Sequence, residues 1–202
     1  MEKGENKPVL TRKDFEGILY GSLTLNEVCE AKDVWMDKYF EVLPGAFEPR
    51  IYLGEKNGEL SVLVEYEERK EYSAEPRTPD NLPDDFKKWL VDEVGEEKAQ
   101  ELREHYDLLG DYIREYCDEK GISWERFIYP DAVAQEGAYV DLMREDYGFE
   151  GGRTHGPFPE HAHYEWSKEV TVDKQELQEM IGSSLESFVE WIAERIVPPT
   201  PP

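Results

Sequence analysis

In the first forty residues apolar positions recur three and four apart, a period that predicts helices. One runs from Thr11 to about Tyr20. A second runs from Thr24 to Leu43, with Leu25, Val28, Cys29, Val34 and Trp35 as its apolar cluster and Pro44-Gly45 as its stop. The period then switches to two. Asn57-Gly58 is the preferred pair for a type I′ turn, and it sets Lys56 opposite Glu59, Leu53 opposite Val62, Tyr52 opposite Leu63 and Arg50 opposite Glu65. Both charge pairs then fall on one sheet face. Ile51, Leu53, Leu60, Val62, Val64 and Tyr66 line the other, which becomes the core side.

A loop rich in proline and charge follows from Ser73 to Pro83, and helical periodicity resumes over Asp84–Val94 and Glu96–Lys120. Ser123 reads as an N-cap, and 131–146 as helix. Tyr147 to Pro159 is punctuated by glycine and proline and reads as a loop. His161 to Val172 alternates as a strand that joins the hairpin. Asp173 with Glu176 three residues on opens a last helix over 174–196. The expected fold is α+β: a small antiparallel sheet, hairpin 50–66 plus strand 161–172, packed against several helices. One domain over 11–197 is expected, with 1–10 a flexible lead-in and 198–202 a proline-rich tail.

Charge changes this picture most. The 202 residues carry 47 Asp and Glu against 23 Lys and Arg, a formal net charge of −24. Such a field repels nucleic acid and anionic lipid, so direct binding to either is not expected. The abundance of lysine and the excess of Glu over Asp argue against high-salt adaptation. The remaining expectation is a basic or nucleic-acid-binding protein as partner. No apolar run approaches the roughly 20 residues that span a bilayer. A polar start without an apolar leader, and two cysteines without framework spacing, read as a cytoplasmic protein with reduced thiols.

The acidic residues are patterned. Over 96–120, Leu102, Tyr106, Leu109, Ile113 and Tyr116 form an apolar stripe, and Glu97, Glu101, Glu104, Asp107, Asp111, Glu115 and Asp118 lie opposite it. The last helix repeats the scheme, with Glu179, Glu186 and Glu190 outward. An acidic face without lysine or arginine forgoes helix-stabilising pairs, about 0.2–0.5 kcal/mol each. Carboxylates one turn apart rise about 6 Å along the axis, comparable to the step between phosphates. These faces are the candidate partner-binding surface. The bland reading is a solvated face kept soluble by its charge.

His161-Ala-His163-Tyr-Glu165 is the second constellation. On a strand these side chains share a face, with His155 in the preceding loop, and imidazoles with a carboxylate suit Zn, Fe or Mn. No histidine-bearing strand follows, and His105 lies on a helix. The bland reading is the solvent face of an edge strand. No GxSxG and no phosphate-cradling glycine loop occurs. The expectation is therefore an acidic inhibitor or adaptor without cofactor, in its most specific form a nucleic-acid mimic acting against a host-defence enzyme. The alternative is a metal-dependent enzyme or metal-binding module on the H-x-H-x-E strand.

Overall fold

The computed structural model describes residues 6–19, 21–40, 49–73 and 75–197, apart from the Lys56 side chain. The expected stop at Pro44-Gly45 and the proline tail lie outside the described residues. The fold is α+β, with a four-stranded open antiparallel sheet in the order β1-β2-β4-β3. Its strands are β1 (Arg50–Lys56), β2 (Glu59–Lys70), β3 (Glu150–His155) and β4 (Ala162–Val172). By its internal contacts the chain divides into two compact units. One comprises Met1–Lys70, Val140–His155 and Ala162–Pro202; the other comprises Glu71–Tyr139 and Gly156–His161.

The first unit is built around the sheet. Asn57 and Gly58 both take positive φ, 55° and 80°, as a type I′ turn requires, and the pairing follows the expected register from Lys56↔Glu59 to Arg50↔Glu65. Ile51, Leu53, Leu60, Val62, Val64 and Tyr66 are all buried. β4 extends that core face with Tyr164, Trp166 and Val172, and pairs with β2 from Leu60↔Val172 to Lys70↔Ala162. Helices α1 (Arg12–Leu19) and α2 (Leu25–Ala31) pack on β1, followed by the short α3 (Asp37–Phe40). Thr24 caps α2 in a full capping box with Glu27. Over its described residues, 24–40, the predicted run is thus two short helices with a break, residues 41–43 lying outside the described residues, and Trp35 in that break is 69% exposed rather than buried with its neighbours.

Each edge of this sheet is met by a side chain. The Ile51 N–H on β1 points away from β2 and donates to Asn26 Oδ1 at 3.0 Å. On β3 the Gly151 carbonyl accepts from Arg144 Nε at 3.1 Å and Nη2 at 2.6 Å. β3 itself is a correction to the sequence reading, which placed a loop there. Glu-Gly-Gly-Arg-Thr-His offers no apolar alternation, so the strand is set by its backbone: Gly151 lies against the Glu165 carbonyl, where any Cβ would collide.

The predicted helix over 174–196 is also broken, into α9 (Lys174–Glu179) and α10 (Leu185–Ile196). Gly182 takes φ +88° between them, and Ser184 restarts the chain by accepting from the Ser187 N–H. The break receives the N-terminal segment. Leu10 donates to Ser183 O and accepts from Gly182 N–H, Leu185 N–H donates to Pro8 O, and Leu10 is fully buried. Residues 8–10, expected as flexible lead-in, are held by these bonds.

The second unit is helical: α4 (Asp84–Val94), α5 (Glu96–Glu104), α6 (Gly110–Lys120), α7 (Trp124–Ile128) and α8 (Pro130–Asp141), the last two residues of α8 counting with the first unit. Its core centres on Phe86, whose ring meets Tyr116 and Phe127 edge-on at 5.2 Å each. Ser123 caps α7, as expected. The predicted helix 96–120 bends at His105 (φ −119°, ψ 73°) into a 3₁₀ turn over Tyr106–Leu109. Packing explains the bend. A straight helix of that length spans about 37 Å, while α4 spans about 16 Å, yet both α5 and α6 pack on α4. Folding back lets Leu102 and Ile113 enter one core.

Candidate binding surfaces

The bend at His105 divides the predicted acidic face into two rows. Glu97, Glu101 and Glu104 share one face of α5, opposite buried Ala99 and Leu102. Asp111, Glu115 and Asp118 share one face of α6, opposite buried Ile113, Tyr116 and Cys117. Asp107 sits in the turn between, and all seven are exposed. Glu101 has a cation partner, Lys98 at 3.5 Å. Among the described residues none of the other six has an ion pair. Leu108, in the same turn, is 56% exposed.

The C-terminal acids are less uniform. Glu186 faces Lys38 at 3.9 Å, Glu179 accepts from Gln175 Nε2 at 3.4 Å, and Glu190 is exposed on α10. Glu179 lies on α9 and the other two on α10, so the break at Gly182 removes the single face expected for them.

The histidine constellation is rearranged. His161 precedes β4 and its Nδ1 lies 3.4 Å from Glu71 Oε1 in the helical unit. His163 sits on the open sheet face across from His155 of β3, their rings stacked at 4.2 Å, and Thr154 Oγ1 is 3.0 Å from His155 Nδ1. Glu165 follows on that face. Among the described residues no group of three or more His, Cys, Asp or Glu side chains is arranged to hold a metal ion. Of the three residues expected on one strand face, His163 and Glu165 lie on β4 and His161 precedes it by one residue.

Sequence reading missed an acidic concavity on that open face. Glu65, Glu67, Glu150 and Glu165 line a space of about 370 Å³ with Arg50, whose guanidinium is 3.7 Å from Glu67. Glu150 enters it from β3, the strand without a sequence signal. A second missed acid is Glu68, on the core face of β2 opposite Tyr164. It is 5% exposed, and among the described residues its Oε2 has no hydrogen-bond partner. Burial pushes its carboxyl up to about 7, with Lys70 pulling the other way. Both cysteines are free and buried, and burial raises both thiols, Cys29 to about 12, which disfavours the thiolate a nucleophile needs.

No protein-family model, curated protein or solved structure matches this chain. Functional assignment therefore rests on the surfaces alone. Among the described residues no helix is long and apolar enough to cross a membrane.

Proposed function

We propose that this is a binding protein whose acidic helical rows on α5 and α6 dock on a basic protein surface. The observation that carries the reading is the set of exposed carboxylates spaced three and four apart on two successive helices, Glu97, Glu101 and Glu104 and then Asp111, Glu115 and Asp118, of which Glu101 alone has a cation partner among the described residues. Unpaired like charges at this spacing cost each helix a few tenths of a kcal/mol per pair, and a cationic partner would remove that repulsion. Leu108, exposed between the rows, supplies an apolar contact of the kind that holds a complex once charge has guided the encounter.

The more specific form is nucleic-acid mimicry. The rows would enter the basic groove of a DNA- or RNA-handling enzyme, such as one used in host defence, and release the counterions that nucleic acid would release. The bend at His105 makes two short rows of charge, so a curved or two-sided groove suits them better than a long straight one.

Capture of partners from the native cell, followed by binding measured across salt, tests the reading. Affinity is expected to fall steeply with salt, and joint charge reversal of Glu101, Glu104, Asp111 and Glu115 to lysine to slow association about ten- to a hundredfold while leaving the fold intact. Binding indifferent to salt and to those substitutions refutes the docking surface. A ternary complex with nucleic acid still in place refutes mimicry alone.

A further inference from the structure

The loop between α2 and α3 holds a cavity of about 340 Å³ whose floor is Cys29, Val34 and Met36 and whose rim carries Glu30, Asp33 and Trp35. The floor residues are buried, while Trp35 is 69% exposed. An indole left that open beside a hollow with an apolar floor and a polar rim is uncommon, since a large aromatic is normally covered by its own fold. Asp33 takes φ +56°, a conformation Asp and Asn tolerate better than most residues.

Charge in this loop is divided unevenly. Lys32 turns away, its Nζ donating to Val9 O at 2.9 Å and to Asp14 Oδ2 at 2.5 Å. Lys38 lies over the Tyr39 ring at 4.9 Å and 3.9 Å from Glu186. Among the described residues neither Glu30 nor Asp33 has a side-chain partner, and no Lys or Arg lines the cavity. The hollow thus joins an open π-face to two uncompensated carboxylates.

We propose that this cavity receives an arginine side chain of a partner protein, the guanidinium stacking on Trp35 and pairing with Glu30 and Asp33. Guanidinium suits the site better than ammonium because it is planar, binds a carboxylate through two parallel N–H donors, and stacks on an indole. A space of about 340 Å³ lies at the small end of ligand pockets, enough for one long side chain. The site does not depend on the α5–α6 rows, so either reading can fail without the other.

The test uses the full chain, with the Trp35 indole N–H resonance assigned through Trp35→Phe. It is titrated with acetyl-Gly-Arg-Gly-amide, and with peptides carrying lysine or uncharged, near-isosteric citrulline in place of arginine. The expected result is a saturating shift with arginine, a response to lysine at least severalfold weaker, and none to citrulline. Joint Glu30→Gln and Asp33→Asn substitution, which keeps shape and the tolerated backbone at residue 33, should weaken the arginine response tenfold or more. An equal response to citrulline or to lysine overturns the proposal, as does retained affinity in the double variant. No response at millimolar arginine peptide overturns it too. A Trp35 resonance that moves with protein concentration alone would assign the hollow to a second copy of the chain instead.

Discussion

Glu68→Gln is expected to raise stability at pH 8.5 by up to about 3 kcal/mol while changing little at pH 4. In the folded protein the Glu68 carboxyl titrates at about 7, against an ordinary value of 4.5. The folded state therefore holds the proton over a window in which the unfolded chain has released it. Stability from this group is fully present below about 4.5 and is lost as pH rises through about 7. Each pH unit in that window is worth about 1.4 kcal/mol, which gives the stated limit. Gln keeps the shape and stays neutral. Urea unfolding of both proteins across pH measures the difference. Parallel curves for the two proteins would mean that Glu68 reaches a compensating partner when ionised.

Gly151→Ala should cost about 3 kcal/mol or more, the sum of a disfavoured backbone conformation and a clash that no side-chain movement relieves. Gly151 takes φ +124°, and a Cβ there would strike the Glu165 carbonyl and lie 3.3 Å from the Trp166 Cα. The obstacle is backbone, so the two strands must separate. Loss of hydrogen-exchange protection in β3 is the expected local sign, with a lowered urea midpoint as the global one. Gly137→Ala is the matched control. Gly137 lies inside α8 with open space around its Cα, and the same change there should stabilise by up to about 1 kcal/mol. Equal effects at the two positions would show that β3 is dispensable.

What could be read from the sequence divides along physical lines. The hairpin was legible because its turn, its charge pairs and its apolar face all require the same register. Asp173 and Ser123 were legible as caps because a side-chain oxygen three residues before a free N–H is a local device. β3 was not, since Gly151 and Gly152 erase the alternation that marks a strand. The bends at His105 and Gly182 differ in how far the sequence shows them. Gly182-Ser183-Ser184 carries a stop and a cap in plain view. At His105 the helical period continues straight through, and only the need to pack two segments on α4 breaks it. Of the candidate sites, the acidity of the helical rows was readable and their division was not. The open Trp35 and the buried Glu68 both keep the alternation of their neighbours, and it is residue type that misplaces them, since an indole reads as core and a carboxylate as surface.

The two plugged sheet edges carry a consequence for how the protein behaves when crowded. A bare edge strand offers a row of donors and acceptors on which a neighbouring chain can add, and successive additions lead toward fibrils. Asn26 and Arg144 each occupy one rung of that row. A strand arriving at β1 would have to displace an amide that already satisfies Ile51, and one arriving at β3 a guanidinium bound twice to Gly151. Both plugs are neutral or cationic contacts in a strongly anionic molecule, so they persist at salt concentrations that screen the mutual repulsion of its copies. Protection from self-templating is thereby built into single side chains and does not rest on net charge.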